Sequence, residues 1–209
     1  IAALFDEHIH LVTLKGSAIE TVADLKGKRV SVDERGSGTY VDANLILEAN
    51  GFQPGDILER NLKGKAATDA LRNGTLDALF IVAGYPTRAL VDLAETTAIK
   101  LIPLDGAGTA RLTEAFKFFS ASEIPSGAYK GVEAASTIAV AAQWYTSVQE
   151  DADLSYDITK ALWNAETRQL LDEGHAAGRT ITLDAALRGL SVPLHAGAAR
   201  YYKEVGLLE

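Results

Sequence analysis

Apolar and polar positions alternate over residues 8–14 (His-Ile-His-Leu-Val-Thr-Leu), and Lys15-Gly16-Ser17 ends the run, so the chain opens on a strand. A repeated unit of strand, turn and helix follows. Val30 and Val32 alternate with polar neighbours as a short buried strand and lead to a helix over 40–50, closed by Gly51. Residues 57–62 lead to a helix over 65–73, closed by Gly74. Residues 76–82 lead through Gly84-Tyr85-Pro86 to a helix over 87–95, and 99–103 to a helix over 109–118. Glycine just past a helix end fits the left-handed cap that closes many helices. Strands alternating with short helices predict an α/β fold with a mainly parallel sheet and helices on its faces.

The rhythm changes after Ser120. Ser126-Gly127 and Lys130-Gly131 mark an irregular stretch, and 136–147 reads as one long strand. Ser155 is placed to cap a helix whose stripe Ile158, Ala161, Leu162, Ala165 and Gln169 continues to Leu170 and would pack on a sheet. From Pro193 the tail reads as an amphipathic helix, with Lys203 in its last turn and Gly206 beyond it. A compact unit over 16–135 is therefore expected between an early strand in 1–15 and a late one in 136–209. Two adjacent crossings of that kind make a hinge.

The segment with the most chemical content is Gly36-Ser-Gly-Thr39, between the Val30 to Val32 strand and the next helix. Glycines let the backbone turn sharply and approach a ligand. Thr39 stands where an N-cap belongs, with Asp42 three residues on in the pattern of a capping box. Free N–H groups and the positive end of the helix dipole would suit a carboxylate or phosphate. A Gly-rich turn is also an ordinary connection. The second loop, Gly84-Tyr85-Pro86, follows the apolar run Leu79-Phe-Ile-Val82. Gly84 can bring its backbone to a ligand, Tyr85 can stack or donate, and Pro86 can open the next helix. Ligands in open α/β sheets bind beyond the carboxyl ends of strands, so both loops are expected to face one cleft. Arg35, beside the cradle, could pair with an anion, but a charge there is more often simply a solvated loop residue.

Composition narrows the classes. A 209-residue chain, 47% hydrophobic, can bury a core. Its net charge of −8 without a basic run argues against nucleic acid. Absence of cysteine removes thiol chemistry and disulfides. No apolar run reaches the length of a membrane span. The chain has no methionine and opens Ile1-Ala-Ala-Leu, so an N-terminal piece such as a targeting signal is expected to have been removed. His8 and His10 share a strand face without a third ligand, so no metal site is expected, nor any cofactor. A Walker loop, a dinucleotide fingerprint, a Gly-x-Ser-x-Gly elbow and a His-Glu-x-x-His helix are all missing, and no catalytic residue is assigned.

Taken in order, the block over 24–32 (Asp-Leu-Lys-Gly-Lys-Arg-Val-Ser-Val), Gly36-Ser-Gly-Thr39, Leu45-Ile-Leu-Glu-Ala-Asn-Gly51, the Gly84 loop and Tyr201-Tyr-Lys-Glu-Val-Gly206 resemble the TAXI family. These are periplasmic solute-binding proteins of tripartite ATP-independent (TRAP) transporters. The resemblance implies a type II periplasmic binding-protein fold of two hinged lobes. Residues 16–135 would be the second lobe; 1–15 and 136–209 would be the hinge strands and closing part of the first, whose opening part is missing here. It also implies a monomeric, non-enzymatic receptor that captures glutamate, glutamine or a related carboxylate for TRAP membrane subunits. Ser37, Gly38 and Thr39 would hold the carboxylate, and Gly84, Tyr85 and Pro86 would form the neighbouring wall. Asp33-Glu34-Arg35 departs from the small residues and proline usual before the family's Gly-Ser-Gly, which leaves the ligand open. The same fold could instead serve as the sensing module of a membrane signalling protein or, with a catalytic constellation, as an enzyme.

Overall fold

The computed structural model describes residues 1–209. The chain divides into two compact units, one of Glu7–Val140 and one of Ile1–Asp6 with Ala141–Glu209. Strand β1 (Ala2–Leu14) and strand β7 (Ala135–Trp144) each run through a boundary.

In the larger unit the elements between those strands are β2 (Arg29–Ser31), α1 (Gly38–Ala49), β3 (Leu58–Arg60), α2 (Gly64–Arg72), β4 (Ala78–Ala83), α3 (Arg88–Thr96), β5 (Ile99–Leu101), α4 (Gly106–Ala115) and β6 (Phe119–Ile124). The fold is mixed α/β. Strand order is β3-β2-β4-β1-β7-β6, with β5 also pairing β1. β2 pairs in parallel with β3 and with β4. β1 runs antiparallel to both β4 and β5, and β6 to β7. The sheet is thus mixed, not mainly parallel: β1 enters its centre in the opposite sense, a direction its own sequence does not encode.

Alternation along β1 and β4 sorts the core onto two faces. Ile9, Leu11 and Phe80 join Val30, Val32 and Ile138 on one face, under Ala43, Ile46 and Leu47 of α1 and Leu112 of α4. Val12 and Leu79 pack on the other with Leu71 of α2, Leu90 and Leu93 of α3, and Tyr129. Fully burying one such aliphatic side chain contributes about 1.5–3 kcal/mol, so the two clusters hold the helices to the sheet. Asp77, just before β4, takes Arg29 of β2 in a bidentate pair (2.6 and 2.9 Å) and also accepts its backbone N–H at 2.7 Å, fixing the β2–β4 register. That arginine holds the Asp77 carboxyl below its ordinary range.

Three boundaries differ from expectation. The fourth helix begins earlier, at Gly106, and ends with Phe116 extended, because Phe118 and Phe119 turn into the core. Residues 119–124 form strand β6, paired with β7 from Phe119↔Val140 to Ile124↔Ala135, and the irregular stretch marked by Ser126-Gly127 and Lys130-Gly131 follows it over 125–134.

In the smaller unit, α5 (Ala152–Leu162) starts at Asp151, whose side chain accepts from Asp153 N and Leu154 N, and not at Ser155. The expected single helix is two. Trp163 ends the first, and Asn164 caps α6 (Ala165–Gly174) by accepting Thr167 N at 2.7 Å. α5 packs on α7 (Ala196–Glu204) instead of a sheet; a Cβ on Gly197 would lie 2.1 Å from Ala152 O, so only glycine allows that approach. Tyr202, fully buried, accepts from Trp163 Nε1 at 3.0 Å and donates to Ile1 O at 3.2 Å.

Candidate functional site

β2 and β4 are parallel neighbours, so the loops after their carboxyl ends emerge side by side. Thr39 ties them together: its hydroxyl accepts Val82 N–H at 3.3 Å. The N-cap of α1 is Ser37, not Thr39; Ser37 Oγ accepts Tyr40 N–H at 3.1 Å and Ser37 O accepts Val41 N–H. A cap two residues earlier moves Gly38 and Thr39 into the first turn, where amides have no intrahelical acceptor. Ser37 N–H is satisfied by Glu34 O, whereas the amides of Gly38 and Thr39 have no acceptor within the protein. The expected capping box with Asp42 does not form.

The two loop glycines do different work. Gly36 has φ +89° and follows Asp33 at φ +71°, so two left-handed residues make the reversal. Gly38 has ordinary φ, and a Cβ there would meet nothing within 4 Å. The fold does not require glycine at 38; close approach of a ligand to its amide would. Arg35 sits apart, its side chain 75% exposed and 3.5 Å from Glu59 of β3. Glu34 pairs with Lys63 at 2.6 Å.

On the second loop the Tyr85-Pro86 bond is cis. The Tyr85 ring stands edge-on to His8, centroids 4.5 Å apart, and His8 Nε2 lies 3.0 Å from Ser122 Oγ. A buried chain anchors the loop beyond Pro86: Thr87 N–H donates to Tyr129 Oη at 3.1 Å, and that hydroxyl lies 2.8 Å from His10 Nε2. His10 Nδ1 faces two carbonyls, His8 O at 2.9 Å and Ile81 O at 3.3 Å, so Nδ1 carries the proton and Nε2 accepts from Tyr129. Burial lowers the His10 pKa to about 4, which keeps this relay neutral. His8 and His10 do share a face, but it is a hydrogen-bonded one, and no group of three metal-ligating side chains occurs.

Glu7 and Asp42 have no binding role in the sequence motifs, yet the structure brings them together. The buried face of α1 reads Thr39, Asp42, Ala43, Ile46, Leu47, and the row of β1 beneath it reads Glu7, Ile9, Leu11. Both rows are apolar at one end and acidic at the end nearest the loops. Asp42 is only 8% exposed. Burial first, and Glu7 second, raise its pKa to about 6, and burial raises Glu7 as well. A carboxylate on the apolar stripe of a helix was the available signal.

The protein is mixed α/β, with the Gly36 to Thr39 loop and the Tyr85 loop leaving adjacent strand ends. The chain belongs to the NMT1-like family, matched over residues 1–206. Among solved structures it is similar to the periplasmic aliphatic sulphonate binding protein SsuA from Escherichia coli, at 16% identity and TM-score 0.47, over 97% of this chain and 58% of that one. A putative sulfonate ABC transporter's periplasmic sulfonate-binding protein from Methylobacillus flagellatus KT matches at 17% identity and TM-score 0.48, over 100% and 62%. A putative L-cystine ABC transporter protein from Listeria monocytogenes matches at 16% and 0.43, over 89% and 63%. The chain spans less than two thirds of the length of each. No helix is long and apolar enough to cross a membrane.

Proposed function

We propose that this chain is the ligand-gripping part of an extracytoplasmic solute receptor: a monomeric, non-enzymatic protein of the two-lobed type II periplasmic binding-protein design, which captures a small carboxylate and delivers it to a membrane transporter. One observation carries the reading. The unsatisfied amides of Gly38 and Thr39 open a 12-residue helix directly beside the Tyr85 loop, and Thr39 binds the two loops together. A carboxylate there would take charge-assisted hydrogen bonds from those amides and the helix dipole, with Ser37 beside them and Gly84, Tyr85 and Pro86 as the wall. Arg35 contributes long-range attraction from the rim. The finer assignment, to TAXI receptors serving TRAP membrane subunits in the periplasm, is supported by the ordered blocks from residue 24 to Gly206.

A thermal-shift screen of amino acids and carboxylic acids, followed by calorimetry, tests the reading. A ligand at 100 times its Kd stabilises the native state by about 2.7 kcal/mol, a readily measured rise in Tm. Absence of a saturable rise with every member of the panel would refute it.

A further inference from the structure

A cavity lies between α1 and the edge strand β3, and no residue of 36–39 or 83–87 lines it. On the helix Tyr40, Asn44, Leu47 and Glu48 recur at helical spacing along its wall. Past the helix end Gly51, at φ +85°, turns the chain back so that Phe52 N–H donates to Leu47 O at 3.0 Å, which brings the Phe52 ring beside that row. Gln53 N–H donates to Asp56 Oδ2 at 2.9 Å, and Asp56 O accepts Gly27 N–H at 2.6 Å, so the closing turn is fixed to the chain entering β2. Ile57 and Glu59 complete the wall. The volume, about 450 Å³, falls within the range of about 300–1,000 Å³ typical of small-molecule sites. Acceptors dominate the polar lining. Asn44 Nδ2 donates to Tyr40 O at 2.7 Å, which leaves Asn44 Oδ1 as the free end of the amide. The Glu48 carboxylate has no partner in the protein. Glu59 takes Arg35 at 3.5 Å and Asn61 at 3.2 Å through one oxygen, Oε1, and its Oε2 is unused. No lysine or arginine lines the cavity.

We infer that this cavity is a second ligand site, for a small organic cation that carries a flat guanidinium or amidinium group on an apolar body. A guanidinium presents five N–H donors in one plane, which two carboxylates and an amide oxygen can accept. It also stacks on aromatic rings, two of which, Tyr40 and Phe52, line the cavity. Leu47 and Ile57 supply apolar surface for the body. An anion would meet two negative charges and no cation. A divalent metal ion gains nothing from the rings and finds only two carboxylates, fewer oxygen ligands than it requires. The site does not depend on the carboxylate cradle, so the two readings stand or fall separately.

The full 209-residue chain, titrated with phenylguanidine beside neutral phenylurea of nearly the same shape and followed by amide chemical shifts and calorimetry, tests the inference. Phenylguanidine is expected to bind with a Kd of about 1 mM or below, and at least about tenfold more tightly than phenylurea, the ratio that one charge-assisted hydrogen bond supplies. The shifted amides should centre on residues 44–59. Glu48→Gln and Glu59→Gln should each weaken phenylguanidine about tenfold and leave phenylurea unchanged. Glu48 is exposed, so its variant decides the matter if circular dichroism shows Glu59→Gln to be unfolded. Equal affinity for the two probes, undiminished binding by the folded variants, shifts centred on 36–38 and 83–87, or no saturable binding up to about 10 mM overturns the second site. Calcium chloride that shifts the same amides and displaces phenylguanidine overturns the organic cation in favour of a metal ion. Every one of these failures leaves the carboxylate receptor standing, because the thermal-shift screen reads that site.

Discussion

Replacing Asp42 by Asn should stabilise the protein at neutral pH. The carboxyl has its pKa raised from 3.8 to about 6 by burial and by Glu7, so the folded state holds a proton that the unfolded chain gives up. For an acid shifted upward, the cost is absent below pH 3.8, grows as pH rises toward 6 and is constant above. At 1.36 kcal/mol per pH unit between the two values it reaches about 3 kcal/mol at pH 7. Asparagine removes that cost but buries an amide, a penalty of about 1–2 kcal/mol if its partners are poor. The variant should therefore be about 1–2 kcal/mol more stable than the parent at pH 7 and less stable at pH 4. Both tryptophans, Trp144 and Trp163, lie in the smaller unit, so fluorescence does not report on α1. Urea titrations followed by amide hydrogen exchange in α1, at intervals from pH 4 to 8, read the right region. A variant-minus-parent difference that stays flat across the range, or a variant less stable at pH 7, would refute the reasoning.

Gly38→Ala should leave stability unchanged or raise it by up to about 1 kcal/mol, since the site is open and helical glycine is entropically costly; ligand affinity measured by calorimetry should fall at least about tenfold if the amide must be approached closely. Ser37→Ala removes the N-cap of α1, costing about 1 kcal/mol in denaturation, and unchanged stability would count against the cap. Thr39→Ala leaves Val82 N–H without its acceptor, so its loss of stability, about 1–3 kcal/mol, must be measured before any change in affinity is assigned to the ligand. Tyr129→Phe deprives both Thr87 N–H and His10 Nε2 of their partner and should destabilise by about 1–3 kcal/mol. The Thr87 amide should then exchange faster, and an unaltered exchange rate would show that the relay does not hold the loop.

Local features were legible from the sequence where their causes are local. Gly51 and Gly74 end α1 and α2 with positive φ because a left-handed residue must follow those helices. The strand positions of Val30 and Val32 followed from alternation. Features set by distant partners were not legible. β1 meets β4 across some seventy residues, so its antiparallel sense is a property of the pairing and not of the strand. β6 acquires order from β7, and Asn164 interrupts a helical stripe whose periodicity continues unbroken through it. At the candidate site the Gly-rich loop announced itself, yet the cap fell on Ser37 because its hydroxyl reaches Tyr40 N–H, which placed Thr39 against Val82. Asp42, expected to complete a capping box with Thr39, is instead buried on α1 beside β1.

Asp42 and His10 lie on opposite faces of the sheet, and their protons act on stability with opposite signs in one pH window. His10, with its pKa lowered from 6.5 to about 4, stays neutral when folded and takes a proton when unfolded, so stability is lost as pH falls through that interval. At 1.36 kcal/mol per pH unit this amounts to about 3 kcal/mol, close to the Asp42 effect and opposite to it. The two offset each other between pH 4 and 6, so a level stability profile in the parent would conceal both. Single variants separate them: with Asp42 replaced, stability should climb from pH 4 toward pH 6.5 on the strength of His10 alone. Each group is buried where its charged form is disfavoured, but only one has its hydrogen bonds completed by the protein. His10 is satisfied by Tyr129 and two carbonyls, whereas no side-chain hydrogen bond from the protein offsets the burial of the Asp42 carboxyl.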